Sequence, residues 1–273
     1  MSLRVALIQT RTPANQAAAF DHIAPMIGSA VAGGAQLIVT PEGSNLLQRS
    51  RAKFVETAVG PEEDPFVLGV RRLAREHGVH ILIGSALVRR EDGLFANRAM
   101  LVAPTGEVVA TYDKIHMFDV DLPTGERHRE SGAYAAGDKA VVAETALGKV
   151  GLTICYDVRF PHLYRALARA GAEIIVVPAA FTVPTGEAHW EVLLRARAIE
   201  NGVFILAPAQ GGAHEDGRAT FGHSMAVGPW GEVLAQAADD APGVLFADLD
   251  LGAVAKARSA IPNLVNGREF AGP

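Results

Sequence analysis

The chain has 273 residues, 49% of them apolar, with a formal net charge of −5 and a single cysteine. This apolar fraction is enough for a large core in one domain spanning residues 1–273, and the scattered lysines and arginines form no basic stripe, which argues against a nucleic-acid partner. The sequence holds no leader-like segment and no apolar stretch long enough to span a bilayer, so we expect a cytoplasmic protein with a reduced thiol and no membrane partner.

Short aliphatic runs alternate with segments of helical periodicity along the chain, a pattern typical of an α/β fold. In chain order, the aliphatic runs predict buried strands at residues 5–9, 36–39, 79–87, 150–154, 173–177 and 203–207. Helices are predicted at residues 65–77, 160–170 and 187–201. Residues 117–138 are predicted to form a long, irregular and charged loop, and a loop of that length in a compact domain is usually functional.

The two halves of the chain repeat the same kinds of segment in the same order. The corresponding pairs are 5–7 with 150–152, 36–41 with 173–178, 78–82 with 202–206, 91–93 with 215–217, and 104–108 with 229–233. One unit of strand, helix, strand, helix, strand and hairpin is therefore predicted twice, and two such units can bury their sheets against each other with helices outside. Ligands of α/β sheets gather at the carboxyl ends of strands, so we expect the functional site where the halves meet.

The only cysteine, Cys155, stands at the end of a predicted buried strand. Without a second cysteine, an intramolecular disulfide and a multi-cysteine zinc site are excluded, which leaves a nucleophile or an inert core thiol. Glu42 follows the second strand of the first unit. Thr10 of the first unit corresponds to Cys155, and Ala179 of the second unit corresponds to Glu42. The reactive residue types thus occur once although the scaffold occurs twice, and a packing role alone does not predict that asymmetry.

A third candidate, Lys114, follows the hairpin of the first unit. Most lysines are solvated, but the neighbours Ile115, Met117 and Phe118 predict partial burial here. A thiol, a carboxylate and an ammonium group suit acyl transfer from nitrogen, because the carboxylate can take the thiol proton while the lysine holds the developing oxyanion. We therefore expect the three side chains to converge.

Glu42, Lys114 and Cys155, in this order and in these settings, resemble the Glu-Lys-Cys triad of the nitrilase superfamily, the carbon-nitrogen hydrolases. The resemblance spans nearly the whole chain. Its more specific segments are similar to the branch that contains deaminated-glutathione amidases and ω-amidases. These segments are 155–161 (Cys-Tyr-Asp-Val-Arg-Phe-Pro), 178–181, 188–191 and 195–198, while 219–225 and 229–231 are closer to the deaminated-glutathione amidases.

The resemblance implies a four-layer α-β-β-α sandwich built from two pseudo-symmetric halves, a homodimer or higher homo-oligomer, and no cofactor or metal. It also implies that Cys155 attacks a small carboxylate-bearing amide to form a thioester and release ammonia. Glu42 is then the base, and Lys114 with the backbone N–H of Tyr156 forms the oxyanion hole. A second glutamate of the family corresponds to Glu130, which positions the lysine and the substrate amide. Considered without the family, Glu130 is an ordinary loop carboxylate.

Arg159 is the first candidate for substrate binding, because a guanidinium suits bidentate capture of a carboxylate. The alternative for this residue is a surface ion pair with Asp157 or another acid. Phe181 and Thr185, which follow the matching strand of the second unit, are candidates for lining the same pocket. The sequence therefore predicts an amide substrate that carries a carboxylate.

The histidines His116, His189 and His223 lie far apart and lack metal-binding spacing, so we expect hydrogen-bonded structural roles for them. Several functions stay open at this point. They are an ω-amidase acting on α-ketoglutaramate-type amides, a nitrilase, an N-carbamoyl hydrolase, and a non-catalytic member whose intact triad serves binding.

Overall fold

The computed structural model describes residues 2–123 and 125–272. The strands are β1 (Ser2–Gln9), β2 (Leu37–Val39), β3 (His80–Arg89), β4 (Phe95–Val102), β5 (Val108–Asp113), β6 (Asp119–Asp121), β7 (Arg127–Arg129), β8 (Val141–Thr145), β9 (Gly148–Leu152), β10 (Ile174–Val176), β11 (Phe204–Ala207), β12 (Gly211–Ala213), β13 (Ala219–Phe221), β14 (Met225–Val227), β15 (Val233–Gln236) and β16 (Gly243–Asp250). The helices are α1 (Gln16–Ala32), α2 (Arg51–Thr57), α3 (Pro65–His77), α4 (Pro161–Arg169), α5 (Val183–Asn201), α6 (Gly252–Ala260) and α7 (Asn263–Asn266).

Each half of the chain supplies most of one six-stranded sheet. The strand orders are β16-β1-β2-β3-β4-β5 and β8-β9-β10-β11-β14-β15. The two sheets also share their register, because Val5 pairs with Leu37 in the first sheet and the repeat-related Val150 pairs with Ile174 in the second. The internal repeat predicted from the sequence is therefore a structural repeat.

The sheets lie between two layers of helices, as the alternation of side chains along β1 shows. Val5 and Leu7 pack into a core that includes side chains of both sheets and of α4 and α5. Ala6 and Ile8 point the other way, into a second core beneath α1 and α3. Both faces of the strand are apolar, as expected for parallel strands covered on both sides. The architecture is the four-layer α-β-β-α sandwich that the sequence predicts.

Local signals set the ends of α3 where the sequence predicts them. The Asp64 side chain accepts hydrogen bonds from the N–H groups of Phe66 and Val67, and Pro65 occupies the first turn. Gly78 ends the helix at φ 64°, a left-handed conformation that favours glycine. Helix α5 begins at Val183, four residues before the predicted start at residue 187, because a proline is tolerated in its first turn.

Two predictions about the chain path need correction. The helices predicted from periodicity omit α1, although the repeat unit places a helix between the first two strands. Pro25 in its interior weakens the periodicity signal even though Ile23 and Ile27 lie on one buried face. The stretch 117–138 is not irregular throughout, because β6 pairs antiparallel with β7 and a 3-10 helix, Glu130–Gly132, follows. These two strands have three residues each and contain one apolar residue between them, Val120, which is too little for an alternation signal. Within the described ranges, none of the helices has the length and apolar character needed to cross a membrane.

Candidate active site

Four side chains from separate elements meet near the carboxyl ends of strands from both sheets. Glu42 follows β2, Lys114 follows β5, Cys155 follows β9, and Glu130 begins the 3-10 helix after β7. Lys114 Nζ lies 2.9 Å from Glu42 Oε1 and 2.8 Å from Glu130 Oε2. Glu42, Lys114 and Cys155 are buried, with 8%, 2% and 7% of their surface exposed. The residues that the sequence singles out are thus brought together across the junction of the two halves.

A strained turn presents the thiol. Cys155 has φ 47°, and among the described non-glycine residues only one other has a positive φ. Such a conformation costs roughly 1–3 kcal/mol and persists only where the surroundings hold it. The backbone N–H of Cys155 donates to Pro178 O at 2.9 Å, and a 3-10 helix, Cys155–Arg159, begins here. The N–H of Tyr156 lies in the first turn, where helical N–H groups have no intrahelical acceptor.

The Asp157 side chain connects this turn to the segment that bears the lysine. Its carboxylate is fully buried and accepts from Tyr112 Oη at 2.7 Å, from the backbone N–H of Ile154 at 2.8 Å and from the N–H of His116 at 3.1 Å. His116 Nδ1 is also 2.7 Å from Asp157 Oδ1, and its ring stacks on Phe160 with centroids 3.6 Å apart. His116 therefore has the hydrogen-bonded structural position that the sequence predicts.

The Glu42 carboxylate is poised to accept a proton. Its Oε1 accepts from Lys114 Nζ and from Asn97 Nδ2, each at 2.9 Å, and its Oε2 accepts from the N–H of Ala180 at 2.9 Å. Burial by itself raises the pKa of Glu42, but the charge of Lys114 and hydrogen bonds from Lys114 and Asn97 bring that pKa below its usual value. Burial and the adjacent Glu42 charge raise the pKa of the Cys155 thiol well above its ordinary value. The resting site therefore holds a carboxylate beside a neutral thiol.

The lysine is held in its charged form by two acids. Burial by itself lowers the pKa of Lys114, but the charges of Glu130 and Glu42 raise it well above the usual lysine value. Glu130 is itself fixed, because its Oε2 also accepts from the backbone N–H of Phe118 at 2.7 Å. The arrangement offers a base beside a nucleophile and a fixed cation beside both, which suits attack on a carbonyl carbon.

A cavity of about 570 Å³ opens onto these groups, and Arg159, Phe181 and Thr185 line it. The Arg159 guanidinium lies over the Phe181 ring, 5.5 Å from its centroid, and is 3.3 Å from His189 Nδ1. No carboxylate among the described residues pairs with Arg159. The alternative of an ion pair with Asp157 is wrong, because that carboxylate is already occupied by the donors of the lysine-bearing segment and of its own turn.

Some residues of the site escape sequence reasoning. Asn97 contacts both glutamates, and its only sequence signal is a small polar residue within the largely apolar strand β4. Tyr134 lines the cavity and packs edge-on against Phe54, with centroids 5.4 Å apart, yet nothing in the sequence distinguishes it. His223 Nδ1 lies 2.6 Å from Phe221 O, a structural contact as predicted. Among the described residues no cluster of three His, Cys, Asp or Glu side chains has a metal-binding arrangement.

The fold and the site together define a class of protein: an α-β-β-α sandwich with a buried cysteine, glutamate and lysine assembled across its two halves. A family model described as carbon-nitrogen hydrolase matches residues 4–259. The chain belongs to the carbon-nitrogen hydrolase family and is a hydrolytic enzyme of that family.

Named relatives and solved structures agree with this assignment. The chain is 45% identical to a deaminated glutathione amidase of Yersinia enterocolitica over 86% of this chain and 82% of the relative. The C. elegans NitFhit structure superposes with a TM-score of 0.91 at 32% identity, over 98% of this chain and 65% of NitFhit, so the chain spans just under two thirds of that protein. A Glu-to-Gln variant of the amidase from Nesterenkonia sp. AN1 superposes at 0.78 with 28% identity, over 94% of each chain, and carries the acetamide moiety of fluoroacetamide covalently added at its active-site cysteine.

Proposed function

We propose that this protein is an amidase that hydrolyses a small carboxylate-bearing amide of the deaminated-glutathione type through a thioester on Cys155. The observation that carries the proposal is the meeting of the thiol with Glu42 and Lys114 in a cavity lined by Arg159, which pairs with no carboxylate among the described residues. The similarity to a deaminated glutathione amidase supports the substrate class.

In the first half-reaction, Cys155 Sγ attacks the amide carbonyl carbon while Glu42 takes the thiol proton. The oxyanion accepts hydrogen bonds from the Lys114 ammonium and from the N–H of Tyr156. Glu130 keeps the lysine charged and oriented. The carbon–nitrogen bond then breaks, the leaving nitrogen takes the proton from Glu42, and a thioester stays on the sulfur. General base catalysis of this kind contributes about 10²–10⁴-fold, and one oxyanion donor about 10²–10³-fold.

In the second half-reaction, water attacks the thioester carbonyl and Glu42 takes the water proton. The carbon–sulfur bond breaks, the carboxylic acid product leaves, and the sulfur regains a proton from the same glutamate. One carboxylate thus serves both halves of the cycle, which is consistent with its burial between fixed donors.

The leaving group separates the proposed substrate class from its main alternative. Glutathione contains only secondary amides, so an amide of the deaminated-glutathione type releases an amine. A primary ω-amide of the α-ketoglutaramate type releases ammonia. The ammonia release that the family resemblance implies therefore applies to this alternative and not to the proposed substrate class. Nitriles and N-carbamoyl compounds give further distinct products. Measuring free amine and ammonia over a panel of these substrates therefore assigns the reaction, and no turnover of any of them contradicts an enzymatic role.

Arg159→Lys tests the carboxylate-binding part of the proposal. Losing the bidentate guanidinium should lower kcat/KM for an acidic amide by about 1–3 kcal/mol, roughly 5- to 150-fold, while a neutral amide of similar size changes little. Arg129→Lys is the matched control, because Arg129 also lines the cavity but already pairs with both oxygens of Asp121 at 2.8 Å. Equal losses for acidic and neutral amides would give Arg159 a structural role instead.

The assembly and location of the protein belong to the same proposal. We place it in the cytoplasm as a homodimer or higher homo-oligomer, acting without a cofactor, a nucleic-acid partner or a membrane. Exposed apolar side chains support self-association: Val192 and Ile199 on α5 and Trp230 in the turn before β15 are 69%, 52% and 60% exposed. Light scattering of the purified chain measures the oligomeric state.

A further inference from the structure

Asn97 contacts both carboxylates of the site and the backbone of its lysine. It lies in β4, with 2% of its surface exposed. Its Nδ2 donates to Glu42 Oε1 at 2.9 Å and to Glu130 Oε1 at 3.1 Å, so both amide hydrogens are used. Its backbone carbonyl accepts from the N–H of Lys114 at 2.9 Å. One residue therefore bridges the two carboxylates and anchors the backbone of the lysine that lies between them.

Within the described part of the chain, the buried site holds two carboxylates but only one ammonium group, and the Asn97 bridge supplies hydrogen-bond donors to both carboxylates. Lys114 is the only cation that hydrogen bonds to Glu42 among the described residues, and the other titratable groups facing that carboxylate are Glu130, the Cys155 thiol and the Tyr134 hydroxyl. Two carboxylates and one ammonium leave a net negative charge in a buried place. Carboxylates crowded in one site commonly share a proton, and a proton held by Glu42 would remove the base.

We propose that Asn97 is a positioning residue whose amide bridges Glu42 and Glu130 and keeps Glu42 free of a proton while one lysine serves both carboxylates. The inference rests on the proposed function. With Oε1 of Glu42 engaged by Asn97 and Lys114, and Oε2 held by the N–H of Ala180, the carboxylate has a fixed orientation beside the thiol.

A stability role does not account for this residue. The side-chain oxygen of Asn97 is buried and has no hydrogen-bond partner among the described residues. An orphaned carbonyl oxygen destabilises the folded state, and a leucine of similar size avoids that penalty in a largely apolar strand. What leucine cannot supply is the pair of donors to the two glutamates.

The test measures how the alkylation rate of the Cys155 thiol depends on pH, with and without these donors. Cys155 is the only cysteine of the chain, so iodoacetamide gives a single adduct whose formation mass spectrometry follows. In the wild type we expect the alkylation rate and kcat/KM to fall together at acid pH, as Glu42 takes up a proton. In Asn97→Leu this acid limb should move up by one pH unit or more. At a pH below both midpoints, the rate relative to that at pH 8 should then be about tenfold lower in Asn97→Leu than in the wild type.

Two further variants complete the experiment. Asn97→Asp keeps the shape but adds a third carboxylate, so its acid limb should move further than that of the leucine variant. Asn201→Leu is the matched control, because Asn201 is fully buried, also has an unpartnered side-chain oxygen, and lies at the far end of α5. It is about 24 Å along the helix from Thr185. Its acid limb should equal that of the wild type.

The outcomes separate the two proposals. An acid limb that stays in place in both Asn97 variants, whatever happens to the rate or the melting temperature, overturns the positioning role. A shifted limb in iodoacetamide alkylation supports that role even if no amide is hydrolysed, in which case only the proposed function fails. The same shift in Asn201→Leu also overturns it, because a general loosening of the fold then explains the result.

Discussion

Replacing Tyr112 by phenylalanine tests whether the Asp157 side chain holds the two halves of the site in register. The Tyr112 hydroxyl is buried and donates to Asp157 Oδ2 at 2.7 Å. Burial and the Asp157 charge raise the pKa of Tyr112, so the hydroxyl stays a neutral donor. Without it, Oδ2 keeps one donor, the N–H of Ile154. A hydrogen bond to a charged group contributes about 1.5–3 kcal/mol, so Tyr112→Phe should lower the unfolding free energy by about 2 kcal/mol.

That loss corresponds to a fall in Tm of about 4–8 °C, which differential scanning fluorimetry resolves. Catalysis should suffer as well, because Tyr112 lies two residues before Lys114 and is part of the contact between the lysine segment and the Cys155 turn. A misplacement of about 1 Å can cost roughly 100-fold in rate, so we expect kcat to fall by about 10- to 100-fold with a smaller change in KM.

Tyr164→Phe is the matched control. The Tyr164 hydroxyl is also buried, but it bonds to the neutral Thr153 hydroxyl at 2.8 Å. A neutral bond contributes about 1 kcal/mol, so the expected fall in Tm is about 2–4 °C, with kcat within a few-fold of the wild type. If Tyr112→Phe costs no more stability and no more activity than Tyr164→Phe, the Asp157 contact does not set the geometry of the site.

Two further predictions concern the reacting groups. Cys155→Ala should abolish turnover while the Tm stays close to that of the wild type, and an active alanine variant would refute the assignment of Cys155 as the nucleophile. Glu42→Gln incubated with substrate should show an acyl adduct on the Cys155 peptide by mass spectrometry. Glu130→Gln keeps the shape of the side chain but removes one of the two negative charges that hold Lys114. We therefore expect kcat to drop by about 10²-fold or more with a modest change in Tm. A kcat close to that of the wild type from pH 5 to 9 would show that Glu130 has no role in catalysis.

The sequence predicts those parts of the molecule that depend on local signals or on the repeat. Asp64 and Gly78 mark the ends of α3. The repeat also predicts that Val5 and Val150 occupy equivalent positions in their own sheets, where Val5 pairs with Leu37 and Val150 pairs with Ile174. The reactive residues stand out because a lone cysteine and a lone strand-end glutamate break the symmetry of the repeat.

The remainder depends on contacts between distant segments. In the sequence Asp157 is a nearby ion-pair candidate for Arg159, but its carboxylate contacts Tyr112 and His116, which lie more than forty positions away and belong to the other half of the chain. The role of Asn97 depends on two glutamates that arrive from separate elements. No window of sequence contains such information.

Because the site is divided between the halves, catalytic activity reports whether the two sheets keep their native position relative to each other. Glu42 and Lys114 belong to the first half and Cys155 to the second, so each half by itself could be well folded and still inert. On heating, a small slip between the sheets would separate base from nucleophile while every strand and helix persisted. Activity should therefore disappear before the helical signal, and during refolding it should be the last property to return.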